Sequence, residues 1–341
     1  MSIRVLVVDD SATARAVISE ILSDARDIEV VGTATDAYVA RDKMVALRPD
    51  VVTLDVEMPR MDGVTFLKKI MQHMPVPTVM VSSLTKKGAK VTLDALDAGA
   101  IDYVAKPHSY IHGGRSEIEK ELVDKVRMAS KAKVVKKQAI QASPKAHIQA
   151  LAETTHKVIA VGSSTGGTEA LRQFLMQLPR NSPGLVMVQH MPGSFTGAFA
   201  SRLNENCEID VKEAKSGDRI KVGQALLAPG DYHMVVRRSG GTYHVEVGDG
   251  KKISGHKPSV DVLFNSVAKS VGSNAVGVIL TGMGADGAKG MKNMKSMGSK
   301  NIAQDEKTCV VFGMPKVAIE LGGVDKVLPL NKIAQQALEF I

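Results

Sequence analysis

Three side chains in the second half of the sequence have the types that acyl transfer requires. They are Ser164, His190 and Asp286, and each comes at or soon after the end of an apolar run. A serine supplies a nucleophile, a histidine supplies a general base, and a carboxylate orients the base. Because parallel strands place such residues at one edge of a sheet, we predict a catalytic triad if the three strands are neighbours.

The sequence around Ser164 is typical of a turn that exposes a nucleophile. Val158 to Val161 predicts a buried strand, and helical periodicity begins at Glu169. Between them, Gly162, Ser164 and Gly166 fit the pattern G-x-S-x-G of a nucleophile elbow. The same glycine-rich segment also fits phosphate binding at a helix N-terminus, or an ordinary strand-to-helix turn. The pattern alone therefore leaves these three interpretations open.

Each catalytic role has competitors elsewhere in the sequence. Ser163 is the alternative nucleophile, and Asp305, which follows another short strand, is the alternative acid. The alternative bases are three further histidines: His233, His244 and His256. We expect His244 to be exposed on a hairpin strand, whereas His256 has a position from which it could line the cleft.

The first half of the sequence predicts a second site, which consists of acids. Strand-like and helical segments alternate there, which predicts a doubly wound parallel sheet. Asp9 and Asp10 follow the first strand, and Asp55 ends the third. Converging carboxylates raise one another's pKa, and Mg²⁺ relieves the repulsion because it prefers carboxylate oxygens. Ser82 and Lys106, at the ends of the fourth and fifth strands, would suit a phosphorylated carboxylate.

Composition and charge limit the class of protein. The 341 residues suffice for two domains, and no apolar run approaches the ~20 residues that span a bilayer. The N-terminus lacks a signal-peptide cleavage site, and two cysteines suit a reducing compartment. The net charge of +8 is concentrated in an acid-free segment from Lys125 to Ala152. We therefore expect a cytoplasmic protein with no membrane insertion and no nucleic-acid partner.

The same segment divides the chain. From Lys133 to Thr155 the composition changes to Lys, Gln, Ala and Ser with little apolar periodicity, which predicts a tether. We predict a first domain over 1–125, a basic flexible linker over 126–156 and a catalytic domain over 157–341. The second domain should be a doubly wound, mostly parallel α/β domain that contains a β-hairpin.

The first half resembles the receiver domain of bacterial two-component response regulators, which is flavodoxin-like with a five-stranded parallel sheet. The matching stretches are Val-Val-Asp9-Asp10-Ser, Thr-Leu-Asp55-Val-Glu-Met-Pro59, Val-Ser82-Ser83 and Val-Ala-Lys106-Pro107. The resemblance implies that Asp55 accepts a phosphoryl group from a chemotaxis histidine kinase, with Ser82 and Tyr103 as switch residues. It also implies that Lys106 contacts the phosphoryl group. The implied Mg²⁺ ligands are Asp9, Asp10, Asp55 and the main-chain carbonyl of Glu57.

The second half resembles the catalytic domain of chemotaxis methylesterases. The matching stretches are Gly162-Ser-Ser164-Thr-Gly-Gly167, Val-Gln-His190-Met-Pro192, Ala-Pro-Gly230-Asp-Tyr-His233, Gly-His256-Lys-Pro-Ser-Val-Asp261 and Thr281-Gly-Met283-Gly-Ala-Asp286-Gly287. The resemblance implies a protein-glutamate methylesterase and protein-glutamine glutaminase that acts on methyl-accepting chemoreceptors and is recruited to membrane receptor arrays. It implies no cofactor for the esterase reaction, an oxyanion donor at Met283 N–H, and help from Thr165 in orienting His190.

The two halves of the sequence together predict regulation of the Ser164 site, and two other classes of function stay open. We expect the unphosphorylated receiver to cover the Ser164 cleft, and phosphorylation of Asp55 to release it. One alternative is a response regulator whose output domain only binds a partner. The other is a DNA-binding regulator, although no helix-turn-helix pattern follows the linker.

Overall fold

The computed structural model describes residues 2–82, 85–106, 115–132 and 156–341, which belong to two compact units, Met1–Gln141 and Ala142–Ile341. Three features of the sequence analysis lie outside these described residues: Ser83, Pro107 and most of the predicted linker, at 133–155. The linker bounds therefore stay a prediction. No described helix has both the length and the apolar character needed to cross a membrane.

The first unit is a five-stranded parallel sheet with a helix after each strand. Its strands are β1 (Ile3–Val8), β2 (Ile28–Ala34), β3 (Val51–Asp55), β4 (Thr78–Ser82) and β5 (Asp102–Ala105). Its helices are α1 (Ala12–Ser23), α2 (Ala37–Leu47), α3 (Gly63–His73), α4 (Lys86–Ala98) and α5 (Arg115–Ala129). The strand order is β2-β1-β3-β4-β5, and every pair is parallel. The predicted flavodoxin-like sheet is confirmed.

Local sequence signals explain where the helices of this unit begin. The N-cap side chains of α1 to α4 each accept a backbone N–H of the first turn; they are Ser11, Asp36, Asp62 and Thr85. Such caps satisfy donors that the helix itself leaves unpaired, and each contributes ~1 kcal/mol. The caps therefore fix where each of these helices begins.

The second unit contains a seven-stranded sheet and a separate hairpin. Its strands are β6 (Val158–Ser163), β7 (Gly184–Gln189), β8 (Asp210–Glu213), β9 (Gln224–Leu227), β10 (His233–Ser239), β11 (Thr242–Gly248), β12 (Ala275–Ile279), β13 (Lys300–Gln304) and β14 (Lys326–Leu328). Its helices are α6 (Gly167–Leu175), α7 (Gly193–Asn206), α8 (Val260–Ser270), α9 (Ala288–Ser296), α10 (Met314–Glu320) and α11 (Leu330–Glu339). The sheet order is β14-β13-β12-β6-β7-β9-β8, and its pairs are parallel.

Strands β10 and β11 form the antiparallel hairpin, so the predicted doubly wound α/β domain with a β-hairpin is confirmed. The central strands β12, β6 and β7 are neighbours and fully buried. Three phenylalanines complete the core on the flanking helices: Phe174, Phe195 and Phe264. Burying each one stabilises the fold by ~1.5–3 kcal/mol. This apolar platform fixes the strand ends at which the site lies.

Candidate functional site

The turn after β6 places Ser164 at the carboxyl edge of the sheet. Ser164 N–H donates to the Thr281 carbonyl (3.0 Å), so the turn is fastened to the loop after β12. The left-handed conformation falls on Gly166 (φ 72°) rather than on the serine. A Cβ at Gly166 would also lie 2.6 Å from Cβ of Val310, so glycine is required there for two reasons. The elbow therefore turns sharply at Gly166 and leaves Ser164 unstrained.

The two neighbouring serines have different surroundings. Ser163 is fully buried, and its hydroxyl donates to Oε1 of Gln189 (2.7 Å). Ser164 is only half-buried, and its hydroxyl makes no hydrogen bond within the described part of the chain. A nucleophile must be accessible and must not be committed to another acceptor. The geometry therefore favours Ser164 over Ser163.

His190 follows β7 directly and lies beside this turn. Its backbone N–H donates to the Ser163 carbonyl (3.1 Å), and its ring Nε2 lies 2.8 Å from Oδ2 of Asp286. Since a carboxylate only accepts, Nε2 must carry the proton. Nδ1 is then the basic nitrogen, and it is buried without a partner among the described residues. The histidine is thus held in the tautomer that a general base requires.

Asp286 is buried at the N-terminus of α8. Its carboxylate accepts hydrogen bonds from the Ser259 hydroxyl (2.8 Å) and from the N–H groups of Val260 (2.7 Å) and Asp261 (3.0 Å). Burial alone would raise the pKa of this carboxyl, but the His190 contact and the backbone donors hold the pKa below its usual value of 3.8. The group is therefore a carboxylate at neutral pH.

The competing residues have other roles. Asp305 accepts from the N–H and hydroxyl of Thr308 (2.9 and 2.6 Å) and caps its own turn. Both ring nitrogens of His233 contact backbone groups, namely the Lys251 carbonyl and the Ser259 N–H. His244 lies on β11 and is half-buried rather than exposed, because it also bridges to Arg219.

His256 lies directly beside His190. Its ring stacks on that of His190, with centroids 3.7 Å apart and planes inclined by 10°. The stacking covers one face of the His190 imidazole and restricts its rotation. His256 thereby narrows the orientations that His190 can take.

The loop after β12 lies directly against Ser164. A Cβ at Gly282 would be 2.8 Å from Cβ of Ser164. The next residue is Met283, whose side chain is partly exposed and whose N–H has no acceptor within the described ranges. Thr165 is buried, and its carbonyl accepts from the Thr281 hydroxyl (3.0 Å). The contact of Thr165 with His190 stays a prediction.

The acids of the first unit meet as the sequence predicted. Carboxylate oxygens of Asp9, Asp10 and Asp55 all lie within 4.8 Å of one another. Lys106 Nζ is 2.7 Å from Oδ2 of Asp55 and 3.1 Å from Oδ2 of Asp9. Burial raises the pKa of Asp55 to about 6, which Lys106 opposes and the charge of Asp9 reinforces. Three carboxylates with one ammonium leave an excess of negative charge and oxygen donors, which fits a hard divalent cation such as Mg²⁺.

The other receiver residues that the sequence singled out make contacts of their own. The Ser82 hydroxyl is bonded to that of Thr92 on α4 (2.7 Å). Tyr103 is buried, with Lys125 Nζ 5.0 Å from its ring centroid, and burial keeps the pKa of the phenol well above its usual value. Glu57 lies two residues after Asp55, and its N–H donates to Oδ1 of Asp55 (3.3 Å).

Two contributors were missed in the sequence. Ser259 caps α8 and donates to the Asp286 carboxylate, and the signal was present, because a serine that precedes an apolar run is a typical N-cap. Arg15 donates to the carbonyls of Asp9 and Asp10 (2.7 and 2.9 Å) and fixes the acidic loop. No sequence pattern identifies that long side chain as a clamp.

Comparison with known proteins agrees with both halves of this description. The CheB methylesterase family matches residues 159–337, and the response regulator receiver domain matches residues 5–112. A protein-glutamate methylesterase/protein-glutamine glutaminase of Sulfurimonas denitrificans is 60% identical over 98% of this chain and 97% of its own. One from Escherichia coli O157:H7 is 52% identical over 99% and 97%. The Thermotoga maritima CheB methylesterase catalytic domain is 42% identical, with a TM-score of 0.54 over 55% of this chain and 100% of that one.

Proposed function

This chain belongs to the CheB methylesterase family, as a protein-glutamate methylesterase/protein-glutamine glutaminase with a receiver domain, and we propose that Ser164, His190 and Asp286 perform its hydrolysis. The substrates in this proposal are glutamyl methyl esters and certain glutamines on methyl-accepting chemoreceptors. The observation that carries it is the 2.8 Å contact between His190 Nε2 and Asp286, which leaves Nδ1 as the basic nitrogen beside the Ser164 turn.

The reaction is an acyl transfer in two steps. His190 Nδ1 takes the proton of the Ser164 hydroxyl as Oγ attacks the acyl carbon of the substrate. The same proton then passes to the leaving group, so methanol departs from an ester and ammonia from an amide. Water, deprotonated by His190, attacks the acyl-serine and releases the glutamate side chain. Asp286 stays ionised throughout and stabilises the imidazolium.

The negative charge on the acyl oxygen needs a donor in each step. Met283 N–H is our candidate, because it lies in the loop packed on Ser164 and has no acceptor within the described ranges. One donor of this kind is worth ~10²–10³ in kcat. Thr165, which follows the nucleophile, holds the position of the second donor in G-x-S-x-G turns.

The receiver supplies control. Asp55 accepts a phosphoryl group from a histidine kinase, and its carboxylate, with Asp9, Asp10 and the Glu57 carbonyl, would hold Mg²⁺. When bound, the ion supplies positive charge that offsets the phosphoryl oxygens. Lys106 already contacts Asp55 and can pair with the added charge. The Ser82 hydroxyl would exchange its bond to Thr92 for one to the phosphoryl group, and the resulting rearrangement raises esterase activity.

Methanol release from methylated receptors tests the proposal. We compare the wild type with Ser164→Ala and with Ser201→Ala, a control at an exposed serine on α7, each with and without Mg²⁺ and a small-molecule phosphodonor. Of the two serine variants, only Ser164→Ala should lose methanol release, by on the order of 10⁴-fold or more. An Asp55→Ala variant should keep basal release and lose the stimulation. Absence of release from phosphorylated, folded wild type would favour an output domain that only binds a partner.

A further inference from the structure

We propose that Gln189 is a positioning residue that locks the nucleophile turn and the catalytic histidine into one frame. The inference rests on the proposed function of Ser164 and His190. Gln189 is the last residue of β7, and its side chain is buried. Its amide oxygen accepts from the Ser163 hydroxyl (2.7 Å), and its amide nitrogen lies 2.8 Å from the Ser164 carbonyl oxygen and 3.2 Å from that of His190.

The register of the sheet explains why one side chain reaches both catalytic segments. Ser163 on β6 and Gln189 on β7 are paired Cα partners, so Ser164 and His190 are the next residues along two adjacent strands. The amide of Gln189 lies between these strand ends. The space is tight, because a Cβ at Gly167 would lie 2.2 Å from Oε1 of Gln189. The first residue of α6 is therefore a glycine where the helix meets this amide.

The contact with the Ser164 carbonyl has a consequence for the oxyanion. In a planar trans peptide, the N–H points opposite to the C=O. The Ser164 carbonyl is held by Gln189 and by the Gly167 N–H (2.7 Å), so the Thr165 N–H of the same peptide is directed away from both. That N–H occupies the position of an oxyanion donor in G-x-S-x-G turns. Gln189 thereby sets the orientation of a donor that it does not itself provide.

An amide is the group that this position requires. One atom must accept from the Ser163 hydroxyl while another donates to two carbonyls, and a glutamine side chain offers both. A leucine offers neither. A carboxylate would face two carbonyl oxygens and repel them. Gln189→Glu and Gln189→Leu therefore break the frame in different ways, one with the shape almost unchanged.

The rival explanation is that Gln189 only stabilises the fold, and the chain contains a matched control. Asn301 is also a buried amide on the same sheet, and its nitrogen donates to two backbone carbonyls, of Met291 (2.8 Å) and Gly323 (2.7 Å). It pairs with Gly277 on β12, two residues before that strand ends, and contacts no member of the triad. Asn301→Leu removes two donated bonds like those that Gln189→Leu removes, but no accepted bond, because Asn301 Oδ1 has no partner among the described residues. It leaves the catalytic segments untouched.

Two readouts on the full chain test the proposal. One is kcat and KM for methanol release from methylated receptors. The other is the rate of Ser164 labelling by a fluorophosphonate, which needs no receptor. We expect Gln189→Leu and Gln189→Glu to lower kcat and the labelling rate by ~10–100-fold with KM changed less than about threefold. Asn301→Leu should lose comparable thermal stability and keep kcat within about threefold of wild type.

Several outcomes would overturn the proposal. One is a Gln189→Leu enzyme within about threefold of wild type in kcat; another is an Asn301→Leu enzyme that loses kcat equally. If neither Gln189 variant folds, Ser163→Ala decides, since it keeps the Gln189 side chain and removes the hydroxyl that contacts Oε1 (2.7 Å) and, more weakly, the Val188 carbonyl (3.5 Å). A several-fold loss of kcat at constant KM supports the frame, and unchanged kcat refutes it. If wild type is labelled but releases no methanol, the receptor substrate is wrong, and the labelling rates still judge Gln189.

Discussion

Replacing Asp286 by asparagine is the sharpest test of the triad, because the substitution keeps the shape and removes one acceptor oxygen. The carboxylate accepts four hydrogen bonds, two on each oxygen: Ser259 Oγ and Asp261 N on Oδ1, Val260 N and His190 Nε2 on Oδ2. An asparagine amide can face these donors in two orientations. Each orientation turns an NH₂ group towards a backbone N–H that pointed at oxygen.

The two orientations have different chemical consequences. With its oxygen towards His190, the new amide would preserve the tautomer of the histidine. It would lose the negative charge that stabilises the imidazolium, and Asp261 N–H would lose its acceptor. With its nitrogen towards His190, Nε2 must accept, so the proton moves to Nδ1 and the base is blocked. The corresponding change in serine proteases lowers kcat by ~10⁴. We expect a loss of ~10³–10⁴ in kcat for Asp286→Asn.

The same change should weaken the fold. A buried N–H without an acceptor costs ~1–3 kcal/mol, and a lost charge-assisted bond adds to that. A total of ~2–4 kcal/mol corresponds to a fall of roughly 5–15 °C in the Tm of the second unit. Methanol release and thermal unfolding measure the two effects. Asp305→Asn is the control, since it keeps the side-chain oxygen that accepts from Thr308. Asp286 does not have this role if Asp286→Asn retains kcat within about tenfold, or unfolds at the wild-type temperature.

Three further predictions concern stability. Because the pKa of Asp286 is lowered on folding, the unfolded chain binds the proton more readily than the folded chain. The stability advantage of wild type over Asp286→Asn should therefore be full near pH 7 and should shrink as the pH falls through and below 3.8. Urea titrations of both proteins at neutral and at acidic pH measure this difference. Gly63→Ala would place a Cβ 2.0 Å from the Asp55 carbonyl oxygen, so we expect a loss of at least ~2–3 kcal/mol in the first unit, and an unchanged denaturation midpoint would contradict this. Phe174→Ala empties a fully buried site on α6 and should cost ~3–5 kcal/mol of unfolding free energy by denaturant titration; a loss below ~1 kcal/mol would mean that the core collapses around the gap.

Much of the fold followed from strand ends that carry polar residues. The apolar runs before Asp9, Asp55 and Ser164 are long enough to be identified as buried strands. Because these strands alternate with helices along the chain, parallel sheets could be predicted. The short edge strands were not predicted. β14 has three residues and is mostly exposed, and β8 buries only Val211. Such strands lack the apolar pattern that sequence reasoning uses, since hydrogen bonds to a neighbour hold them instead.

The site was predictable in its residue types and not in its contacts. Asp286 lies seven positions beyond the end of β12, and what fixes it is the start of α8, which precedes that strand. The stacking of His256 on His190, and the reach of Gln189 across two strands, are likewise contacts between distant segments. Local periodicity carries no information about such pairs. They emerge only when the sheet order is known.

Where the first turn of α8 contacts Asp286, its backbone groups and its side chains have different roles. The Asp286 carboxylate accepts from the backbone N–H groups of Val260 and Asp261 and from the Ser259 hydroxyl. The side chains of Val260 and Asp261 are therefore free to make other contacts. Val260 fills the gap that Gly162 leaves, and Asp261 accepts the Gly290 N–H (2.7 Å) to anchor α9. Because these supporting groups are fixed and buried, dissolved salt has little access to compete with them. The first turn of α8 therefore stabilises the charge of Asp286, packs against Gly162 and holds α9 in place.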